Sequence, residues 1–309
     1  MKKTRLWSMM GFILSLVLLS GCGEENAASG DNDGKIQIVA TTGMIADLAA
    51  NIGGDLVEVE GLMGPGVDPH LYKATQGDME KIDQAEMIFY NGLHLEGKMQ
   101  DILEKMEKKK PVIAVTKDIE KGKLQTVEDN TFDPHIWFDV ELWIETLDVV
   151  KDALIAEDKE NKGTYEENYK AYKQELMKLD QYAAEQLSSI PVEQRVLITA
   201  HDAFGYFGEA YGLEVRGLQG ISTLSEYGSK DVSELRDFIV EKKIKAIFVE
   251  SSVPQKAIQA VIEGAERKGH TVEVGGELFS DAMGENGTEE GTYIGMIKHN
   301  VDTITNALR

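Results

Sequence analysis

From Lys35 onward, short runs of branched and aromatic residues alternate with stretches whose apolar positions follow a helical period. Residues 36–41 (IQIVAT), 57–62, 87–90 and 112–115 read as strands. The stretches 44–52, 77–85 and 95–109 read as the helices between them, the first closed by Gly53-Gly54. The rhythm changes at 140–156 and 162–188, two long helix-favouring runs rich in Glu, Lys, Ala and Leu. The second has no Pro, only Gly163 near its start, and Pro191 just past its end. Fully helical, it would span about 40 Å. Strands are then expected at 196–199, 214–218, 246–249 and 271–274, with helices at 203–211, 232–243, 255–268 and 291–308.

This order predicts an α/β protein with parallel sheets covered by helices. It is read as two βα lobes, residues 35–160 and 191–309, joined by one long helix over 161–190. No short-period repeat or low-complexity tract interrupts it. The length, 309 residues, suits two domains or one large α/β unit, and 42% apolar residues exclude a disordered chain.

The formal charge of -22 opposes binding to nucleic acid and to an anionic surface, and suits a small cationic ligand. A single cysteine excludes an internal disulfide framework and a Cys-rich zinc module. That cysteine, Cys22, ends Leu19-Ser20-Gly21-Cys22, after Lys2, Lys3, Arg5 and an apolar run too short to span a bilayer. Residues 1–21 read as a signal peptide. The polar segment 22–34 (CGEENAASGDNDG) reads as a flexible tether.

Three of the six histidines stand where strands give way to loops. Asp68-Pro69-His70 follows a Gly/Pro loop, Asp133-Pro134-His135 repeats the tripeptide, and His201 follows the strand at 196–199 with one residue between. Pro restricts the backbone on both sides, so each Pro-His unit offers its imidazole from a stiff support. In open α/β sheets such positions converge at the carboxyl ends of strands. With Asp281, in Phe279-Ser280-Asp281, they form a nitrogen/oxygen set suited to a divalent first-row metal. Asp202 and Glu250 are alternative carboxylates, or acceptors that hold a ligand from behind. The competing reading is that strand-end histidines merely bond backbone groups. His94 begins a helix near a strand end. His270, in a polar turn, and His299, on the polar side of the last helix, read as solvated. The methionines of the body are spread like core residues.

The run at Cys22, Met63-Gly64-Pro65-Gly66-Val67-Asp68-Pro69-His70, Phe132-Asp133-Pro134-His135-Ile136-Trp137, Thr199-Ala200-His201-Asp202-Ala203-Phe204 and Ser280-Asp281-Ala282-Met283 resemble the cluster A-I metal-binding lipoproteins. These are the substrate-binding components of manganese and zinc ABC importers, and the likeness covers essentially the whole chain. It implies a rigid linking helix and one divalent ion buried in the cleft between the lobes, held by His70, His135, His201 and Asp281. It implies a diacylglycerol on Cys22, which places the protein at the extracytoplasmic face of a bacterial membrane. The partners implied are permease transmembrane subunits with a cytoplasmic ATPase; a monomer is expected. Manganese is favoured as cargo and zinc is possible. Manganese-type members often carry Glu where His201 stands. The His-rich loop of zinc-type members is absent, because 71–134 contains only His94.

Readings of other classes are an extracellular metallohydrolase and a surface adhesin. No HExxH helix, GxSxG elbow or phosphate loop supports an enzyme, so no catalytic residue is expected. Binding through imidazoles should weaken as pH falls through about 6.5.

Overall fold

The computed structural model describes residues 34–127 and 131–309. The signal peptide, Cys22 and all of the tether except Gly34 lie outside the described residues.

Four strands, β1 (Ile36–Ala40), β2 (Val57–Gly61), β3 (Met87–Tyr90) and β4 (Val112–Ala114), form a parallel sheet in the order β2-β1-β3-β4. In the second half β5 (Val196–His201) pairs in parallel with β6 (Glu214–Gln219). Likewise β7 (Ala246–Glu250) pairs with β8 (Glu273–Leu278), and β7 runs alongside β5. The spatial order 6-5-7-8 repeats that of the first half, so in both halves the chain reverses its direction of winding beside the first strand. Such switch points open a crevice at the carboxyl ends of the strands.

The helices in chain order are α1 (Gly43–Gly53), α2 (Gln76–Gln84), α3 (Gln100–Glu107), α4 (Val140–Glu157), α5 (Lys162–Ser188), α6 (Gly205–Tyr211), α7 (Ser229–Lys242), α8 (Lys256–Arg267) and α9 (Tyr293–Leu308). Local chemistry sets several of their ends. Thr75 and Asp78 form a capping box at α2, and Asp139 and Thr292 cap α4 and α9 through the N–H groups of Leu142 and Gly295. The long helix α5 packs on α1, α4 and α9. It buries Tyr165, Tyr172, Leu176, Leu179, Ala183 and Leu187 along one side. Its core is continuous with buried residues from β1 through α9, and residues 35–309 form one compact body. Among the described residues no helix is long and apolar enough to cross a membrane.

Three elements differ from the pattern reading. Helix α3 starts at Gln100 rather than 95, because Glu96 turns inward to bond the end of β3. Strand β5 continues through His201, so that ligand candidate is the last strand residue rather than one beyond it. Strand β8 runs to Leu278, where Gly275-Gly276 hid its continuation; the paired strand shifts register at Ile247/Phe248. His270 and His299 are not free in solvent either. Both are half-buried, with Nε2 bonded to the carbonyls of Ile244 and Glu277 at 2.8 and 2.9 Å.

At Gly217 strand β6 comes close to the backbone at the end of β5. A Cβ there would lie 2.5 Å from the amide nitrogen of Asp202 and 2.7 Å from the carbonyl carbon of His201. Gly217→Ala should therefore lower stability in urea unfolding by about 1–3 kcal/mol, because backbone rather than a flexible side chain must give way. An unchanged unfolding midpoint would contradict this packing.

Candidate metal centre

All four candidates meet at the carboxyl ends of strands. His70 lies in the loop after β2, His135 in the loop after β4, His201 at the end of β5, and Asp281 three residues past β8. One ligand atom from each lies within 4.8 Å of all the others. Nε2 of His70 is 3.3 Å from Nε2 of His135. Nε2 of His135 is 3.3 Å from Oδ1 of Asp281, and Nε2 of His201 is 3.3 Å from Oδ2. Donors about 2.0–2.1 Å from one centre in a tetrahedron stand about 3.3–3.4 Å apart. Three of the separations thus fit a single small cation, while that from Nε2 of His70 to Oδ2 of Asp281 is longer, at 3.8 Å.

The satisfaction of polar groups gives the same picture. Both oxygens of Asp281 and Nε2 of His201 are buried without an aligned hydrogen bond. Leaving one such group unpaired costs about 1–3 kcal/mol, more if it is charged. Three orphans facing one point fit a bound cation that satisfies them together.

Two imidazoles are held from behind. Oδ1 of Asp133 accepts from Nδ1 of His135 at 2.7 Å and from its main-chain N–H at 2.9 Å. Glu250 does the same for His201, accepting from Nδ1 at 2.5 Å and from the N–H at 2.8 Å. A carboxylate on Nδ1 fixes the tautomer and aims the Nε2 lone pair at the centre. Both Asp-Pro-His units make the same turn, since Oδ1 of Asp68 accepts the N–H of His70 at 2.8 Å. Only Asp133, however, also reaches its imidazole. Of the two carboxylates singled out in the sequence, Glu250 supports a histidine and Asp202 touches none of the three rings by hydrogen bond.

Electrostatics divides the three histidines. Burial holds His70 down to about 4, against the pull of Asp281. Burial also opposes the charge on His135, but Asp133 and Asp281 overcome it and hold that ring up to about 9. His201 is likewise pushed well above its ordinary value, because Glu250 and Asp281 outweigh burial. Asp281 lies well below the carboxylate range: burial works against its charge, but His201 and His135 prevail.

Several supporting residues escaped the sequence reading. Oε1 of the buried Glu96 accepts from the Thr41 hydroxyl and from the N–H of Asn91, both at 2.7 Å; Oε2 takes the N–H of Gly92 at 3.2 Å. These bonds hold Gly92, Leu93 and His94 in three successive left-handed conformations. Nδ2 of Asn91 then reaches the Pro134 carbonyl at 3.0 Å, next to His135. Across the crevice, Nε1 of Trp137 donates to the Ser280 carbonyl at 3.1 Å, and Tyr293 donates to the Trp137 carbonyl at 2.8 Å. The repeated Asp-Pro-His could have revealed Asp133. Glu96 gave no local signal, because it reads as an ordinary helix residue.

The fold and this centre define a solute-binding protein for metal ions. The family described as "Zinc-uptake complex component A periplasmic" (ZnuA) matches residues 38–307, and the chain belongs to it. The chain is 51% identical to manganese-binding lipoprotein MntA of Bacillus subtilis (strain 168) over 302 residues, 97% of this chain and 98% of that one. It is 49% identical to zinc-binding protein TroA of Treponema pallidum (strain Nichols) over 300 residues, 96% of each. The solved periplasmic zinc-binding protein TroA superposes with a TM-score of 0.87 at 50% identity, covering 89% of this chain and 99% of that one.

Two outcomes follow from the geometry. Glu96→Ala leaves a buried hydroxyl and two N–H groups without their acceptor, and should cost about 3 kcal/mol in urea unfolding. It should also weaken divalent-metal binding about tenfold by freeing the backbone beside His135; unaltered affinity would disconnect Glu96 from the site. Without metal, these shifts favour a proton on His135 and on His201 at neutral pH and disfavour one on His70. Metal uptake should therefore release two protons, and affinity should keep rising with pH towards about 9, where His135 deprotonates by itself. This moves the sensitive window above the 6.5 of a free imidazole. Calorimetry in buffers of different ionisation heat measures the protons directly, and no proton release at pH 7 would refute the assignment.

Proposed function

We propose that the chain is the metal-capturing component of an ABC importer. It would bind one divalent cation through His70, His135, His201 and Asp281 and deliver it to a membrane permease driven by a cytoplasmic ATPase. The observation that carries this is the convergence of four buried donors with three atoms unpaired, in a chain of the zinc-uptake family. A carrier needs its ion enclosed, and here the donor side chains are between 0 and 2% exposed. A hydrolase needs an open position for an activated water. Closed coordination favours transport over catalysis.

The cargo is manganese in this reading, in keeping with the relative named as manganese-binding at 51% identity. Zinc is the second reading, favoured by the zinc-binding relative and its solved structure. Donor chemistry does not separate them, since a nitrogen/oxygen set binds zinc more tightly than manganese. The division into lobes 35–160 and 191–309 around the helix 161–190 belongs to the same reading, with the ion between them. So do the lipid on Cys22, attachment to the outer face of the membrane, and a monomeric state. Several relatives are named lipoproteins.

Elemental analysis of stripped protein reloaded with manganese or zinc tests the reading. One equivalent per chain is expected, lost in His135→Ala and kept in His270→Ala. Import of one ion only, by cells carrying the gene, identifies the cargo. No stoichiometric metal with either ion would end the carrier assignment.

A further inference from the structure

Among the four clustered side chains, His70 alone lines an open cavity of about 660 Å³. Its side chain is 2% exposed, against 0% for His135, His201 and Asp281. Among the described residues it is also the one imidazole of the three with no carboxylate behind Nδ1. An ion that reaches or leaves the cluster by this route therefore meets His70 first on the way in and leaves it last on the way out.

Asp202 shares the wall of that cavity. It is half-buried, yet its carboxylate accepts no hydrogen bond from the described residues, unlike the buried or partly buried Asp68, Asp133 and Glu250. Asp68 takes the Thr223 hydroxyl at 2.6 Å, and Asp133 and Glu250 hold imidazoles. Nor does Asp202 belong to the group that meets at the centre. Its backbone is fixed: the N–H donates to the Gln219 carbonyl at 3.1 Å, and the close approach of Gly217 presses on the same peptide. Among the described residues, a carboxylate without a hydrogen-bond donor thus stands just past the end of β5, on the wall of the cavity that His70 also lines. A cation entering a dry site must shed water stepwise, and each lost water must be replaced by another oxygen or the barrier grows. Passage also requires a contact weak enough to leave.

We propose that Asp202 is a transit ligand, which takes the partly hydrated cation in the cavity and passes it to His70 without joining the final coordination. This rests on the metal-carrier reading above. A transit ligand speeds capture and release alike and leaves the equilibrium nearly untouched. A charge that only steers acts through a long-range field, which about 1 M salt screens to about 3 Å.

The test measures manganese capture, and release into a chelator, by stopped flow on the full chain in detergent. Asp202→Asn keeps the side-chain shape and should slow both rates about tenfold, with Kd within about twofold, at low salt and at about 1 M salt. Glu226→Gln, exposed on the same rim, should slow capture only at low salt. A deficit in Asp202→Asn that disappears at high salt would reduce the residue to steering and overturn the proposal. Unchanged rates, or a Kd raised by faster release alone, would overturn it as well. If the unaltered chain takes up neither manganese nor zinc, the carrier reading itself fails; full uptake with normal Asp202→Asn rates fails the transit role alone.

Discussion

The costliest feature of this molecule is a carboxylate, Asp281, buried with neither oxygen in an aligned hydrogen bond. Isolated, such a group would not stay ionised. Here it does, because two imidazoles stand 3.3 Å away and carry the compensating charge. Without metal, the centre is therefore an anion between two imidazoles, His135 and His201, that favour the protonated form. In the proposed carrier, a divalent cation would replace those protons with one ion that meets all the donors at once. Uptake of metal and loss of protons are two sides of one exchange.

Holding that cluster together requires support from both halves of the chain. Each supported imidazole carries a carboxylate from its own half, Asp133 for His135 and Glu250 for His201. The halves are tied across the crevice by Trp137, which bonds Ser280 beside Asp281 while Tyr293 holds the Trp137 carbonyl. The helix α5 packs beneath, against α1, α4 and α9. His70 lacks the carboxylate support and sits at the cavity. In the proposed site, that asymmetry would separate three fixed donors from one placed for exchange.

The parallel α/β architecture was legible because strand and helix periods differ, and most elements fall within a few residues of their expected places. The failures have physical causes. Gly275-Gly276 hid the middle of β8, because glycine carries no pattern for a pleated strand. The start of α3 was misplaced because Glu96, polar and helix-favouring, is drawn inward by three donors distant or awkward in sequence. His270 and His299 looked solvated, because their carbonyl partners lie 26 and 22 residues away.

The sequence by itself determined which residues could serve the centre. Two stiff Asp-Pro-His units, a histidine after an apolar strand and an aspartate after another are local facts, set by proline geometry and strand patterning. Only the tertiary structure decided that these four meet, that Glu250 rather than Asp202 supports a ring, and that Asp202 faces a cavity with its oxygens free. Those outcomes depend on how the sheets of both halves bring their strand ends together, and on burial that shifts each proton affinity. Neither can be read from residues dozens of positions apart until the chain has folded.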